Sequence, residues 1–213
     1  MRVLLAVLCS SVLLPAASPL ADESRETPRV FMFVTEGSRD LDLMLEQEVG
    51  VMRRMLEEAG YRVDIATTGD APLVGEQFAL EPTVALADVE VGRYAGVVLP
   101  CMAPAPGTAT PAAVDEIVRK ALAAGKPVAA SRGSVATLAR AGGLAGRDFA
   151  YASPVDPARR PEFAGGRYQG TGTVRAGQVS TTGICPLAAR ETGAADGTAS
   201  LMENFIGSLA DSG

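Results

Sequence analysis

Short apolar runs alternate with segments of helical periodicity along most of this sequence. The apolar runs predict buried strands at 30–35, 62–67, 94–100, 127–131 and 177–183. Helical spacing follows at 43–59, 110–124 and 135–141, and a capping box at Ser200 and Glu203 opens a last helix. Residues 148–176 are rich in Gly, Pro and Arg and predict irregular structure with an edge strand. Strands that alternate with helices predict an α/β fold, with a doubly wound, mostly parallel sheet covered on both faces.

The amino-terminal segment has the pattern of a secretory signal peptide. Arg2 precedes an apolar run over 3–14, and small residues then lead to Ala21. The run is shorter than the roughly 20 apolar residues that span a bilayer, although an uncleaved membrane anchor is the alternative. Cleavage after Ala21 would leave residues 22–213 as a single domain without a membrane span. The sequence therefore predicts export to the periplasm or secretion.

Composition excludes several classes of function. The net charge is −6 and no run of Lys or Arg is longer than two residues, so nucleic acid is not an expected partner. The chain contains no histidine, which excludes a Ser-His-Asp or Cys-His relay and a His-ligated zinc site built from this chain alone. A lone Gly37 follows the first predicted strand, without a dinucleotide-binding or Walker motif. No cofactor and no metal are predicted.

One carboxylate breaks the pattern of the first predicted helix. On a helical wheel at about 100° per residue, Glu48 falls inside the apolar arc that contains Leu45, Val49 and Met52. Burial of a carboxylate costs several kcal/mol unless the group is paired or protonated. Glu48 is therefore expected to have a functional role or a buried partner, and the alternative is a solvated position near the helix start.

Three stretches of the chain carry a family resemblance. Residues 125–147 read GKPVAASRGSVATLARAGGLAGR, residues 94–100 read YAGVVLP and residues 59–67 read AGYRVDIAT. They resemble the G-K-P-V-A-A-I-C-H-G-P…A-G-x-L-x-G-R, Y-D-x-L-V-L-P-G-G and A-G-x-x-V-x-x-A-S motifs of the ThiJ/PfpI superfamily, the protein deglycase and class I glutamine amidotransferase-like group. Their order and spacing cover nearly the whole mature chain. The resemblance implies the family's flavodoxin-like fold.

The same resemblance implies a site that has lost its usual chemistry. The family site combines a cysteine on a strained turn after the fourth strand, a neighbouring histidine and a glutamate from the first helix. Glu48 matches the glutamate, but Arg132 stands at the cysteine position and Gly133 at the histidine position. The family's L-P-G-G turn reads Leu-Pro-Cys-Met over residues 99–102. The family's usual Cys-His activity is therefore not expected.

Three hypotheses for the site remain open. In the first, Arg132 pairs with Glu48 and the pocket is plugged or binds an anion, with Ser131, Arg132 and Gly133 as ligand-binding candidates. In the second, Cys101 is a relocated nucleophile and Glu48 its acid/base partner. In the third, Cys101 and Cys185 form a disulfide, which an exported chain favours. The flanking strand ends would lie about 9–10 Å apart, whereas a disulfide needs Cα atoms within about 7 Å, so the loops would have to lean together.

These hypotheses lead to three functional predictions. The leading one is an envelope protein without catalysis, or with weak catalysis, that binds a small molecule or a protein partner. The rival is a cysteine-dependent hydrolase, deglycase or glyoxalase that uses Cys101 and Glu48. The third is a redox-responsive protein that cycles the Cys101–Cys185 pair. Because members of the family often dimerise, a homodimer is also an expectation from the resemblance.

Overall fold

A six-stranded sheet forms the centre of the molecule. The computed structural model describes residues 26–152 and 156–212. The strands are β1 (Arg29–Val34), β2 (Arg62–Thr67), β3 (Leu73–Val74), β4 (Ala79–Leu80), β5 (Gly96–Leu99), β6 (Val128–Ser131), β7 (Asp148–Phe149), β8 (Arg167–Tyr168), β9 (Thr173–Ala176) and β10 (Val179–Thr182). The main sheet has the order β2-β1-β5-β6-β10-β9, while β3 pairs with β4 and β7 pairs with β8 outside it.

Five strands of the main sheet are parallel and correspond to the five predicted apolar runs. In chain order they follow the 2-1-3-4-5 arrangement of doubly wound flavodoxin-like sheets. The sixth strand, β9, pairs antiparallel with β10 at one edge and is the edge strand expected within 148–176. The predicted fold class, a flavodoxin-like α/β fold, is therefore confirmed.

Helices cover both faces of this sheet. They are α1 (Leu41–Met44), α2 (Gly50–Glu58), α3 (Ala112–Ala123), α4 (Val135–Arg140), α5 (Pro186–Thr192) and α6 (Thr198–Ser212), and a π-helical segment (Leu45–Val49) joins α1 to α2. Alternate residues of the strands feed two apolar cores. Met32 packs in the core below α2 and α6, whereas its neighbours Phe31 and Phe33 pack in the core on the face of α3 and α4.

Two helix starts and one additional helix differ from the sequence expectations. Helix α3 begins at Ala112, after Pro111, rather than at the predicted residue 110. The last helix begins at Thr198, before the predicted capping box at Ser200 and Glu203. Helix α5, which immediately follows Cys185, was not predicted, because its seven residues are too few to display a helical period.

The predicted signal peptide, residues 1–21, lies outside the described residues. Over 26–152 and 156–212, no helix has the length and apolar character needed to cross a bilayer.

Candidate functional site

Glu48 lies at the centre of the candidate site. It belongs to the π-helical segment Leu45–Val49, and it is 0% exposed to solvent. The flanking residues Leu45 and Val49 are buried in the apolar core, as the helical wheel predicts. Single π-helical turns inside α-helices often occur at functional sites. The predicted burial of Glu48 is confirmed.

Two hydrogen bonds fix the Glu48 carboxyl group. The Ser131 hydroxyl lies 2.7 Å from Oε1, and the Met102 N–H donates to Oε2 over 2.9 Å. Burial, together with the nearby negative charge of Cys185, raises the pKa of Glu48 to about 8. The carboxyl group is therefore mainly protonated at neutral pH.

The predicted ion pair between Arg132 and Glu48 is wrong. Ser131 occupies the position beside Glu48, because it follows Ala129 on the face of β6 that packs below α2. Arg132, as the next residue, leaves the strand in a different direction. A neutral carboxyl group that is hydrogen-bonded to Ser131 and to backbone does not require a cation.

The loop after β5 has an unusual backbone. Met102 and Ala103 both adopt left-handed conformations, with φ of 52° and 41°. Two backbone hydrogen bonds tie this loop to the loop after β1, from the Arg39 N–H to the Ala103 oxygen over 3.1 Å and from the Ala105 N–H to the Gly37 oxygen over 2.8 Å. Within it, the Ala103 N–H donates to Cys101 Sγ over 3.3 Å. The strained loop thus directs successive N–H groups toward Glu48 and Cys101.

The turn after β6 is also strained. Arg132 has a φ of 36°, in the left-handed region that a residue with a side chain seldom adopts. This is the position where the family resemblance places its strained cysteine. Ser134 donates from its hydroxyl to the Pro100 carbonyl oxygen over 2.6 Å and so joins this turn to the β5 loop, instead of capping α4.

The ligand-binding candidates of this turn have different surroundings. Ser131 is fully buried and committed to Glu48. Arg132 is half-buried, and its Nε has no hydrogen-bond partner. Gly133 is exposed and lies beside Cys101, since a Cβ placed on it would be 3.6 Å from Cys101 Sγ.

Cys101 and Cys185 are both free thiols and both buried. The predicted disulfide is not formed in the structure, but the two thiols lie close enough for each to shift the pKa of the other. The spacing of the strand ends alone does not predict this proximity. Cys101 lies in the strained loop after β5, beside Gly133 of the turn after β6, and Cys185 is the residue directly before α5.

The two thiols have opposite acidities. The interaction with the Cys101 thiol, the N–H of Ala188 and the Arg132 guanidinium outweigh desolvation and lower the pKa of Cys185 to about 6. The interaction with Cys185, together with burial and the proximity of Glu48, raises the pKa of Cys101. The Arg132 guanidinium and the Ala188 N–H therefore favour a negative charge on Cys185 over one on Cys101.

A cavity of about 340 Å³ reaches this site from one side. Cys101 lines it and Cys185 does not. The remaining wall includes hydroxyl side chains and one arginine, namely Thr35, Thr108, Thr110, Ser134, Thr137 and Arg140. Arg140 forms a bidentate ion pair with Asp115, with both distances at 2.9 Å, which compensates its charge. The cavity is thus polar without a free charge, and it leads to the protonated thiol.

The structure brings together the residues that the sequence singled out separately. Ser131 is hydrogen-bonded to Glu48, and Cys101 and Cys185 lie close enough to Glu48 for their charges to interact with its carboxyl group. The role of Arg132 as a partner of Cys185 was missed. The only feature of the sequence that points to this role is the position of Arg132 directly after the fourth predicted strand. The start of α5 at Cys185 was also missed, although a proline directly after Cys185 is typical of a first helical position.

Comparison with known proteins agrees with the geometry. The DJ-1/PfpI family model matches residues 28–189. A ThiJ/PfpI domain protein from Brachyspira murdochii is similar in structure, with a TM-score of 0.66, 14% identity, and coverage of 87% of this chain and 98% of that one. DJ-1beta from Drosophila melanogaster has a TM-score of 0.60 and 19% identity, and the match covers 88% of this chain and 96% of that one.

A third similar structure is the putative protease I from Bacteroides thetaiotaomicron, with a TM-score of 0.60, 13% identity, and coverage of 85% and 99% of the two chains. Comparison with curated protein sequences finds no match. At these identities the solved structures define the fold alone, whereas the family model covers most of the sequence. The chain therefore belongs to the DJ-1/PfpI family.

Proposed function

We propose that this protein is a thiol–disulfide redox protein in which Cys101 and Cys185 cycle between a dithiol and a disulfide. The observation that carries the proposal is the proximity of two buried, free thiols, with an arginine near one of them and a cavity beside the other. A thiolate with a depressed pKa next to a protonated thiol is the arrangement of a reactive dithiol pair.

The oxidising co-reactant is a low-molecular-weight disulfide, RSSR, that enters the cavity and meets Cys101. Cys101 passes its proton to the Cys185 thiolate, and the Cys101 thiolate attacks one sulfur of RSSR and expels RS⁻. That RS⁻ takes the proton from Cys185. The Cys185 thiolate then attacks Cys101 Sγ and expels the second RS⁻. The protein loses two electrons and one proton, and RSSR becomes RSH and RS⁻.

The reverse reaction starts at the same sulfur. A small thiolate in the cavity attacks Cys101 and expels Cys185, which is the better leaving group because Arg132 and the Ala188 N–H stabilise its charge. Glu48 remains neutral beside the pair and thereby avoids a second buried negative charge. Its hydrogen bonds to Ser131 and Met102 hold the floor of the site in place.

The test is equilibration of the full chain with mixtures of reduced and oxidised glutathione. A Cys9→Ala substitution leaves only the two site thiols to report. After acid quenching, free thiols are alkylated and the linked peptides are identified by mass spectrometry. We expect an intramolecular Cys101–Cys185 bridge in the monomer. Absence of this bridge under fully oxidised glutathione would contradict the proposal.

Two serine variants define the order of events. In Cys185→Ser, the glutathione adduct on Cys101 is expected to accumulate, because no thiol is present to displace it. In Cys101→Ser, Cys185 is expected to remain unmodified, because it does not line the cavity. If Cys185 in the Cys101→Ser variant were modified as fast as Cys101 in the Cys185→Ser variant, the proposal that Cys101 makes the first attack would be wrong.

A second candidate function is non-covalent binding of a small molecule, favoured by the polar cavity of about 340 Å³ beside the site. The expected result is a shift in melting temperature with small polar solutes that persists in Cys101→Ser. Filling the cavity with Ala136→Leu should abolish it, since Ala136 lies in the cavity wall. Loss of the shift in Cys101→Ser would instead assign the cavity to the thiol chemistry.

Export is part of the proposal. The amino-terminal segment with Arg2 and the apolar run 3–14 supports secretion or a periplasmic location. In such an oxidising compartment, a reversible dithiol would respond to the local thiol–disulfide balance.

A further inference from the structure

A second cavity, of about 510 Å³, lies at the opposite end of the sheet from the thiol site. It is formed where β1 and β2 begin, at Arg29 and Arg62, whereas the thiol site lies beyond the carboxyl ends of the strands. Four arginines line it, Arg29, Arg53, Arg62 and Arg93. The chain as a whole has a net charge of −6, so this cluster of arginines is opposite in sign to the net charge of the protein.

Two of these arginines are compensated and two are not. Arg29 forms an ion pair with Asp64 at 3.1 Å, and Arg53 forms one with Glu57 at 2.7 Å. Within 26–152 and 156–212, Arg62 and Arg93 take part in no ion pair. The four arginines and the two carboxylates of the lining, Glu57 and Asp64, give an excess of two positive charges, and Glu26, outside the lining, forms a second ion pair with Arg29 at 3.3 Å.

The inner wall of the cavity leaves a donor unused. Asp64 is engaged by Arg29 and also interacts with the Tyr94 hydroxyl, which limits its repulsion of an incoming anion. Arg29 Nε is nevertheless buried without a hydrogen-bond partner. Buried donors are normally satisfied, so this nitrogen of a lining residue still has a free capacity to donate.

We propose that this cavity binds a phosphoryl group, held by Arg62 and Arg93. The planar guanidinium group matches the oxygens of a phosphate in a two-point geometry, and paired arginines are typical of such sites. The volume exceeds that of the phosphoryl group alone, and Tyr61 offers an aromatic surface to an attached organic part. The phosphoryl group belongs to a soluble ester or to a phospholipid headgroup.

The test measures two probes on the full chain. Inorganic pyrophosphate is titrated by calorimetry, and vesicles of phosphatidylglycerol are compared with vesicles of phosphatidylcholine by co-sedimentation. We expect pyrophosphate to bind with a Kd below about 1 mM and the double variant Arg62→Ala/Arg93→Ala to weaken it at least about tenfold. The matched control is Arg54→Ala/Arg159→Ala, which removes the same charge from exposed positions outside the cavity.

The possible results distinguish a soluble phosphate ester from a lipid headgroup, and both from a failure of the proposal. Pyrophosphate binding that only the cavity variant loses supports the site with a soluble ligand. Binding to phosphatidylglycerol alone, again lost only in the cavity variant, supports it with a lipid headgroup. Absence of both, or an equal loss in the control variant, would overturn the proposal. The thiol chemistry is unaffected by any of these results, because the two sites lie at opposite ends of the sheet.

Discussion

Replacement of Cys185 with serine is expected to abolish the thiolate that the reduced protein carries at neutral pH. With a pKa of about 6, Cys185 is mostly ionised at pH 7. An ordinary cysteine with a pKa near 8.5 is only a few per cent ionised there, and burial raises the pKa of the remaining Cys101, so the thiolate population should fall at least about thirtyfold in the variant. The measurement is the ultraviolet absorbance of the thiolate as a function of pH, in a chain that carries Cys9→Ala.

Two matched variants locate the cause of this acidity. Cys101→Ser keeps a hydrogen-bond donor beside Cys185, so the titration near pH 6 should persist with a modest upward shift. Arg132→Met removes the positive charge but keeps a long side chain, and the pKa of Cys185 should rise by about one unit. If Cys101→Ser, rather than Cys185→Ser, removes the low titration, the charge has been assigned to the wrong sulfur.

Replacement of Glu48 with glutamine is expected to stabilise the protein at alkaline pH. The pKa of Glu48 is raised to about 8 in the folded state from an ordinary value of 4.5, so between these pH values the folded protein holds a proton that the unfolded chain has lost. Stability from this group is therefore complete below about pH 4.5 and falls as pH rises to 8, by up to about 1.4 kcal/mol per pH unit. Glutamine is neutral at every pH and removes that loss.

The expected gap between Glu48→Gln and the wild type is about 4 kcal/mol at pH 8 and below about 1 kcal/mol at pH 5, from urea unfolding at each pH. Glutamine preserves both hydrogen bonds, since its amide can donate to Ser131 and accept from Met102. Glu48→Ala is the contrasting variant and should destabilise at pH 5 by about 2–4 kcal/mol, because it leaves two buried polar groups unpaired and a void. The contrary result is a stability difference between Glu48→Gln and the wild type that turns against the variant as the pH rises from 5 to 8. That result would show that Glu48 is ionised in the folded protein.

The helical wheel succeeded at Glu48 because the burial of one helix face depends only on local spacing, and the sheet must cover that face. The partner of Glu48 could not be obtained in the same way. Ser131 and Arg132 are adjacent in sequence, and the turn of β6 decides which of them faces the helix. A one-residue difference in that turn exchanges a hydroxyl for a cation and reverses the expected charge state of the carboxyl group.

The strand and helix alternation, the parallel sheet, the buried carboxylate and the absence of the family's cysteine and histidine could all be predicted from the sequence. These follow from the period of the apolar residues and from residue identity, which are local properties. The proximity of Cys101 to Cys185, and of Arg132 to Cys185 rather than Glu48, required the three-dimensional structure. Those proximities join three segments that are distant in sequence, at 101–103, 132–134 and 184–186, and two of these segments contain left-handed residues, which follow no period that a sequence pattern could reveal.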